Sequence, residues 1–270
     1  MVTAVNVTQE MDQLYRPYKF EELLEVNYYM QKYWTSCFII VPIYLLLIFV
    51  GKAYMKTQKG FNLQTPLILW SFGLSVFSIV GAVRTWSYMG TLWHVYSPVH
   101  TVCFSVFTST SVMKFWSSIF TFSKIIELGD TAFIILRKRP LIFVHWYHHS
   151  TVLIFSSFVL KEQVPAGGWF MTMNFGVHAI MYSYYTLKAA HVTPPKFLPM
   201  LITSLQILQM VIGVFVSIMA YILRQEYGCF MTENALFWSA VLYISYFILF
   251  ANFFHRTYIM PKNKAKGKSQ

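Results

Sequence analysis

The sequence predicts an all-α, polytopic membrane protein with seven transmembrane helices. Composition, the length of its apolar runs and a one-sided distribution of basic residues carry that expectation. Hydrophobic residues make up 56% of the 270 and charged residues only 11%, with a mean hydropathy of +0.50. A soluble domain is about 25% charged. The net charge of +11 raises nucleic acid as a partner. The basic residues, however, sit between apolar runs, with no basic face or binding motif, so no nucleic-acid partner is expected. The length suits a single domain.

About 20 apolar residues cross a bilayer as a helix. Seven such runs can be drawn: 34–54, 66–88, 114–136, 140–160, 168–188, 197–223 and 235–257. The fourth is bounded by Pro140 and the Pro165-Ala-Gly-Gly turn, and the sixth follows Pro194, Pro195 and Pro199, which are helix-boundary signals. The segment before the first run is polar and acidic and lacks the apolar core of a cleavable signal. The first run is therefore expected to serve as the targeting signal. The chain divides into an N-terminal segment 1–33, a membrane domain 34–258 and a basic tail 259–270.

Orientation follows from the Lys/Arg bias of short connections. One side holds Lys52, Lys56, Lys59, Arg137, Lys138, Arg139, Lys188, Lys196, Arg256 and the tail lysines 262, 264, 266 and 268; the other holds Arg16, Lys19, Lys32, Lys161 and Arg224. The tail is thus expected in the cytosol and the N-terminus in the lumen. Three small signals agree. Asn6 heads the sequon Asn6-Val7-Thr8, a glycosylation acceptor on the lumenal side. Cys103 and Cys229 fall on that same side, where a disulfide between them would persist. The chain ends Lys266-Gly-Lys268-Ser-Gln, a Lys-x-Lys-x-x retrieval signal for the endoplasmic reticulum. The plainer reading of that tail is a basic stretch on anionic lipid.

Four polar clusters interrupt the apolar runs: Lys124–Glu127–Asp130, His145–His148–His149, His178–Tyr182–Tyr185 and Thr203–Gln206–Gln209. Ionisable groups inside a membrane are costly and mark functional sites. Residues three and four apart share a helix face, so each cluster is expected to point one way, with Asn174 joining His178. At about 1.5 Å per residue, all four lie roughly 8–20 Å from the cytosolic helix ends. They therefore converge on one buried chamber opening toward the cytosol. Interhelical hydrogen bonding remains the plainer account of the Thr/Gln ladder.

Histidine serves as nucleophile, acid, base or metal ligand. His-x-x-His-His also occurs in membrane di-iron oxygenases and desaturases, which need about eight ligands. Here His94 and His100 fall in a lumenal loop and His191 in a cytosolic one, and no second histidine string follows. No metal is expected. The Asp-Arg-Tyr and Asn-Pro-x-x-Tyr strings of a seven-span receptor do not appear at the expected spans, nor does the inverted repeat of a transporter between the halves.

The strings Lys124-Ile-Ile-Glu127-Leu-Gly-Asp130-Thr131, His145-Trp-Tyr-His148-His149, His178-Ala-Ile-Met181-Tyr182-Ser-Tyr184-Tyr185 and Thr203-Ser-Leu-Gln206-Ile-Leu-Gln209 resemble, in order, the four signature motifs of the fatty-acid elongase family. The resemblance covers essentially the whole chain. The His-Trp-Tyr-His-His form, with Gly167-Gly-Trp-Phe-Met-Thr-Met-Asn174, is similar to the saturated and monounsaturated subgroup. It implies a 3-ketoacyl-CoA synthase of the endoplasmic reticulum, with helices two to seven enclosing a substrate tunnel. Such an enzyme condenses a long-chain acyl-CoA with malonyl-CoA; both are substrates, and no cofactor is implied. Its partners are membrane lipid, the reductases and dehydratase that complete the cycle, and other elongases.

Cys37, Cys103 and Cys229 are expected near the lumenal side, so histidine is left as the nucleophile in the chamber. Spacing alone leaves His148 and His149 equivalent; the resemblance favours His148. His145 and His149 are expected to orient the ring or shuttle protons, and His178 with Asn174 to stabilise the oxyanion or enolate. Asp130 and Glu127 are expected to fix histidine tautomers, with Lys124 neutralising them. Tyr182, Tyr185, Thr203, Gln206 and Gln209 are substrate-binding candidates. Arg137, Lys138, Arg139, Lys188, Lys196, Arg256 and Lys262 are candidates for the CoA phosphates.

Overall fold

A computed structural model describes residues 10–22, 25–103, 105 and 110–260. Asn6, Lys262, Lys266 and Lys268 lie outside the described residues. Among those described, every regular element is helical. In chain order these are α1 (Glu25–Lys32), α2 (Cys37–Met55), α3 (Gln64–Val95), α4 (Pro98–Cys103), α5 (Ser111–Ile126), α6 (Gly129–Leu136), α7 (Phe143–Glu162), α8 (Gly167–Ala189), α9 (Leu198–Ile222), α10 (Arg224–Tyr227) and α11 (Glu233–Phe254). A π-helical turn, His255–Ile259, continues α11. Four stretches are long and apolar enough to cross a membrane: Trp34–Met55, Gln64–Val95, Leu198–Ile222 and Glu233–Ile259. Three of the four polar clusters fall instead on α5 to α8.

Local chemistry sets several boundaries. The Thr110 hydroxyl caps α5 by accepting from Met113 N at 3.3 Å, and Thr232 caps α11 through Ala235 N at 3.1 Å, satisfying first-turn donors. Gln163 (φ 51°) ends α7 and Gly228 (φ 69°) ends α10 in left-handed conformations. Pro199 sits in the first turn of α9, where its missing N–H costs nothing. On α2, Phe38, Ile39, Ile43, Leu46, Leu47 and Phe49 are all more than half exposed, an apolar face suited to lipid.

The bundle is held by two long helix pairs, α3 with α8 and α9 with α11. Glycine permits the closest approach in each. A Cβ on Gly81 would lie 2.6 Å from the Phe175 ring, and one on Gly213 would lie 2.5 Å from Tyr243. These rings join one core with Trp116, Phe120, Phe155, Phe170 and Tyr246. Cys103 and Cys229 form a disulfide with Cα atoms 4.6 Å apart, tying α4 to the connection before α11.

Two differences from the expected spans bear on the site. Helix α3 runs to Val95, so His94 lies in its last turn and not in a loop. The third expected run divides at Glu127–Leu128 into α5 and α6. There Leu128 N bonds Ile125 O, Asp130 N bonds Glu127 O and Thr131 N bonds Leu128 O, at 3.1–3.3 Å. These i−3 bonds overwind the chain by about 20° per residue relative to an α-helix. The three side chains of this cluster find different partners: Lys124 pairs with Glu127, whereas Asp130 is bonded by Trp70 and Tyr182. The turn brings Gly129 against Trp70, whose ring a Cβ would meet at 2.6 Å.

Candidate active site

A cavity of about 520 Å³ opens within the bundle. Its walls come from α3, α6, α7, α8, α9 and α11 with the following turn, and no residue of α2 lines it. Asp130, His145, His148, His149, Asn174, His178, Tyr182, Tyr185, Thr203, Gln206 and Gln209 all face it, together with Arg137, Arg139 and Lys188 near helix ends. Four helices thus deliver their polar faces to one space.

Three hydrogen-bonded groups support it. Lys124 is 1% exposed and sits in the wall behind the cavity. Its Nζ donates to Glu127 Oε1 at 2.7 Å and to Asn174 Oδ1 at 2.9 Å. Ser123 Oγ also donates to Glu127 Oε1, at 3.1 Å, and His178 Nδ1 approaches Glu127 Oε2 at 3.7 Å, beyond a hydrogen bond. In the second group Asp130 accepts from Trp70 Nε1 and Tyr182 Oη, each at 2.7 Å. In the third, His145 Nε2 pairs with Thr131 Oγ1 at 3.0 Å, and Thr131 pairs with Tyr44 Oη at 2.7 Å.

The expectation that Asp130 and Glu127 hold histidine tautomers is corrected. Asp130 is instead bonded by Trp70 and Tyr182. Glu127 is engaged by Lys124 and Ser123. Among the described residues, His148 Nδ1 and His149 Nδ1 are buried without a protein hydrogen-bond partner. Rings position His148 instead: Tyr246 lies 4.8 Å away and Phe250 6.1 Å. The Tyr246 hydroxyl is anchored to Thr151 Oγ1 at 2.7 Å, on the same helix as His148. His149 packs on His145 at 4.4 Å between ring centres.

The basic candidates separate. Arg137 and Arg139 line the cavity. Lys138 does not: its Nζ donates to the carbonyls of Lys56 and Gln58, at 3.3 and 2.9 Å, bracing the α2–α3 connection. Lys196 and Arg256 are exposed and lie outside the lining. Sequence reasoning missed Trp70, Tyr246, Phe250 and Tyr258. Tyr258 lines the cavity and comes within 3.5 Å of Thr203 Oγ1 because the π-helical turn carries it inward. Their sequence signal is slight, since isolated aromatics are common in a chain that is 19% aromatic.

A second, narrower void of about 50 Å³ meets the first and shares His148, Asn174, Gln209 and Met210 with it. Beyond them its walls are mainly apolar, including Val152, Phe155, Leu160, Phe170, Met171 and Tyr243. His148 thus stands where a polar chamber narrows into a greasy bore. An imidazole there can attack a carbonyl whose polar substituent lies in the chamber and whose alkyl chain lies in the bore. Among the described residues, no three His, Cys, Asp or Glu side chains group in a metal-holding arrangement.

Comparison with known proteins agrees with the motif reading. The family profile described as ELO: GNS1/SUR4 family matches residues 29–266. The chain is 64% identical to very long chain fatty acid elongase 3 of Homo sapiens and 58% identical to that of Mus musculus, each match covering 100% of both proteins. It is 44% identical to human very long chain fatty acid elongase 6, covering 92% of this chain and 94% of the relative. The chain therefore belongs to the ELO (GNS1/SUR4) family.

Proposed function

We propose that this protein is a fatty-acid elongase, a 3-ketoacyl-CoA synthase that condenses a long-chain saturated or monounsaturated acyl-CoA with malonyl-CoA. The observation that carries the reading is the position of His148, at the junction of the polar chamber and the apolar bore. The His148 imidazole attacks the acyl thioester, a C–N bond forms as the C–S bond breaks, and CoA leaves as the thiol. Malonyl-CoA then loses carbon dioxide. Its enolate carbon attacks the acyl-imidazole, expelling His148 and releasing 3-ketoacyl-CoA. His178 and Asn174 stabilise charge on oxygen, with Lys124 holding Asn174. Thr203, Gln206, Gln209, Tyr182 and Tyr185 bind along the chamber. Arg137, Arg139 and Lys188 meet the CoA phosphates.

The membrane arrangement proposed with it has seven spans: α2, α3, α5 with α6, α7, α8, α9 and α11. Spans two to seven enclose the tunnel, since their helices together line the two voids, with α3 contributing to the larger one. Residues 1–33 form a lumenal segment glycosylated at Asn6, residues 34–258 the catalytic domain and residues 259–270 a cytosolic tail. Lys266 and Lys268 retain the enzyme in the endoplasmic reticulum. Reductases and a dehydratase must consume the 3-keto product.

Purified protein incubated with a long-chain acyl-CoA and labelled malonyl-CoA is expected to form a 3-keto product two carbons longer. His148→Ala should abolish both product and acyl label on the protein, whereas His149→Ala should retain the label. An active wild-type enzyme that never acquires a label at His148 would overturn the covalent route.

A further inference from the structure

Glu21 is fully buried although it precedes the first span. Its carboxylate accepts from Arg84 Nε at 2.8 Å, Arg84 Nη2 at 2.5 Å, Trp116 Nε1 at 2.7 Å and Tyr18 N at 2.8 Å. The Arg84 guanidinium lies 4.4 Å from the ring centres of both Tyr15 and Tyr18. The Tyr15 hydroxyl donates to the Arg84 carbonyl at 2.9 Å. A charge is buried this deeply only when paired and fully hydrogen-bonded. The condensation uses none of these groups.

Their location gives them a different role. Trp116 directly precedes Ser117 and lies one turn from Phe120, both of which line the apolar bore. Its ring packs on Phe175 at 5.8 Å, and Phe175 packs on Phe120 at 5.1 Å. Phe175 is in turn pressed onto the α3 backbone at Gly81, so movement of Trp116 passes to the bore wall. On α7 the bore runs from His148 to Leu160, about 18 Å at 1.5 Å per residue. This is the direction in which residues 10–22 pack, with Met11 wholly buried in the same core as Val112, Met113 and Met171.

We propose that the Glu21–Arg84–Trp116 latch seals and braces the far part of the bore, making Glu21 a positioning residue for acyl-chain-length selectivity. The proposal rests on the elongase reading, because it takes the bore as the acyl site. With the latch intact, Trp116 and Phe175 hold Phe120 in the wall, and each added methylene meets a fixed boundary. Without it the wall yields and lengths are poorly distinguished.

The test uses full-length enzyme in lipid, given labelled malonyl-CoA and a mixture of saturated acyl-CoAs rising by two carbons. Glu21→Gln removes the charge that holds Arg84. Trp116→Phe removes only the indole donor and keeps the Glu21–Arg84 pair, so it serves where the first variant does not fold. Both are expected to lower the preference for the best substrate over the next longer one by about fivefold, within the discrimination an apolar pocket makes per methylene. The malonyl-CoA KM should stay unchanged. An unaltered length profile, or the same loss at every length, would overturn the latch. A wild-type enzyme that makes no 3-keto product would instead overturn the elongase reading.

Discussion

Lys124→Met is a demanding test of how the site is held. The side chain stays unbranched, is one atom shorter and loses its charge. The wild-type ammonium makes two short bonds, to Glu127 and Asn174, and lies 4.4 Å from the centre of the Phe120 ring. The variant leaves Glu127 buried with only the Ser123 hydroxyl, and leaves Asn174 Oδ1 without that donor. Removing one member of a buried ion pair costs about 3–5 kcal/mol. An ordinary interhelical hydrogen bond in a membrane bundle averages only about 0.6 kcal/mol, so the stranded carboxylate dominates. Unfolding free energy in mixed micelles is therefore expected to fall by about 3–5 kcal/mol. Lys124→Met/Glu127→Gln removes the orphaned charge and should recover up to about 3 kcal/mol, within the coupling range of contacting residues. A single variant within about 1 kcal/mol of wild type, the scale of an exposed pair, would refute the argument. So would a double variant whose loss equals the sum of the singles.

Three further outcomes follow from particular contacts. Gly129→Ala places a Cβ 2.6 Å from the Trp70 ring and should displace the indole from Asp130, costing about 1–3 kcal/mol by thermal unfolding. Trp70→Phe should reproduce most of the accompanying activity loss. Gly213→Ala drives Tyr243 toward the bore it lines, so turnover of the longest acyl-CoAs should fall by about tenfold, for roughly 1.4 kcal/mol of misplacement, and that of shorter ones by less. Arg137→Ala should raise the acyl-CoA KM by roughly tenfold through loss of a charge-assisted contact. Lys138→Ala, whose amine braces a loop, should leave that KM within about twofold, as surface changes usually do.

The cavity was legible in the sequence to the extent that two constraints acted together. A membrane span fixes height at a known rise per residue, and a helix fixes direction at a known period. Their combination predicts that histidines from the fourth run, His178 from the fifth and Gln206 from the sixth meet in one chamber, and these residues line one cavity. Direction did not supply the partners. Lys124, Glu127 and Asp130 read as one face, but Lys124 pairs with Glu127 while Asp130 is bonded by Trp70 and Tyr182. Spacing along one helix does not say which neighbouring helix supplies a partner, although Gly129 permits the close packing of Trp70. Lys138 was misread because positive-inside bias and phosphate binding place the same residue type in the same connection.

The choice between His148 and His149 shows what packing adds to pattern. Adjacent helical residues point about 100° apart, so one string supplies two imidazoles with different neighbours. His149 turns to His145, whose other contact is Thr131 and, through it, Tyr44. His148 turns to α11, where Tyr246 and Phe250 hold its ring, and it borders both voids. In the proposed reaction a thioester with its head in the polar chamber and its chain in the bore would present its carbonyl at that border. The helix period makes either histidine available, and the partners on α11 place His148 at the junction of the two voids.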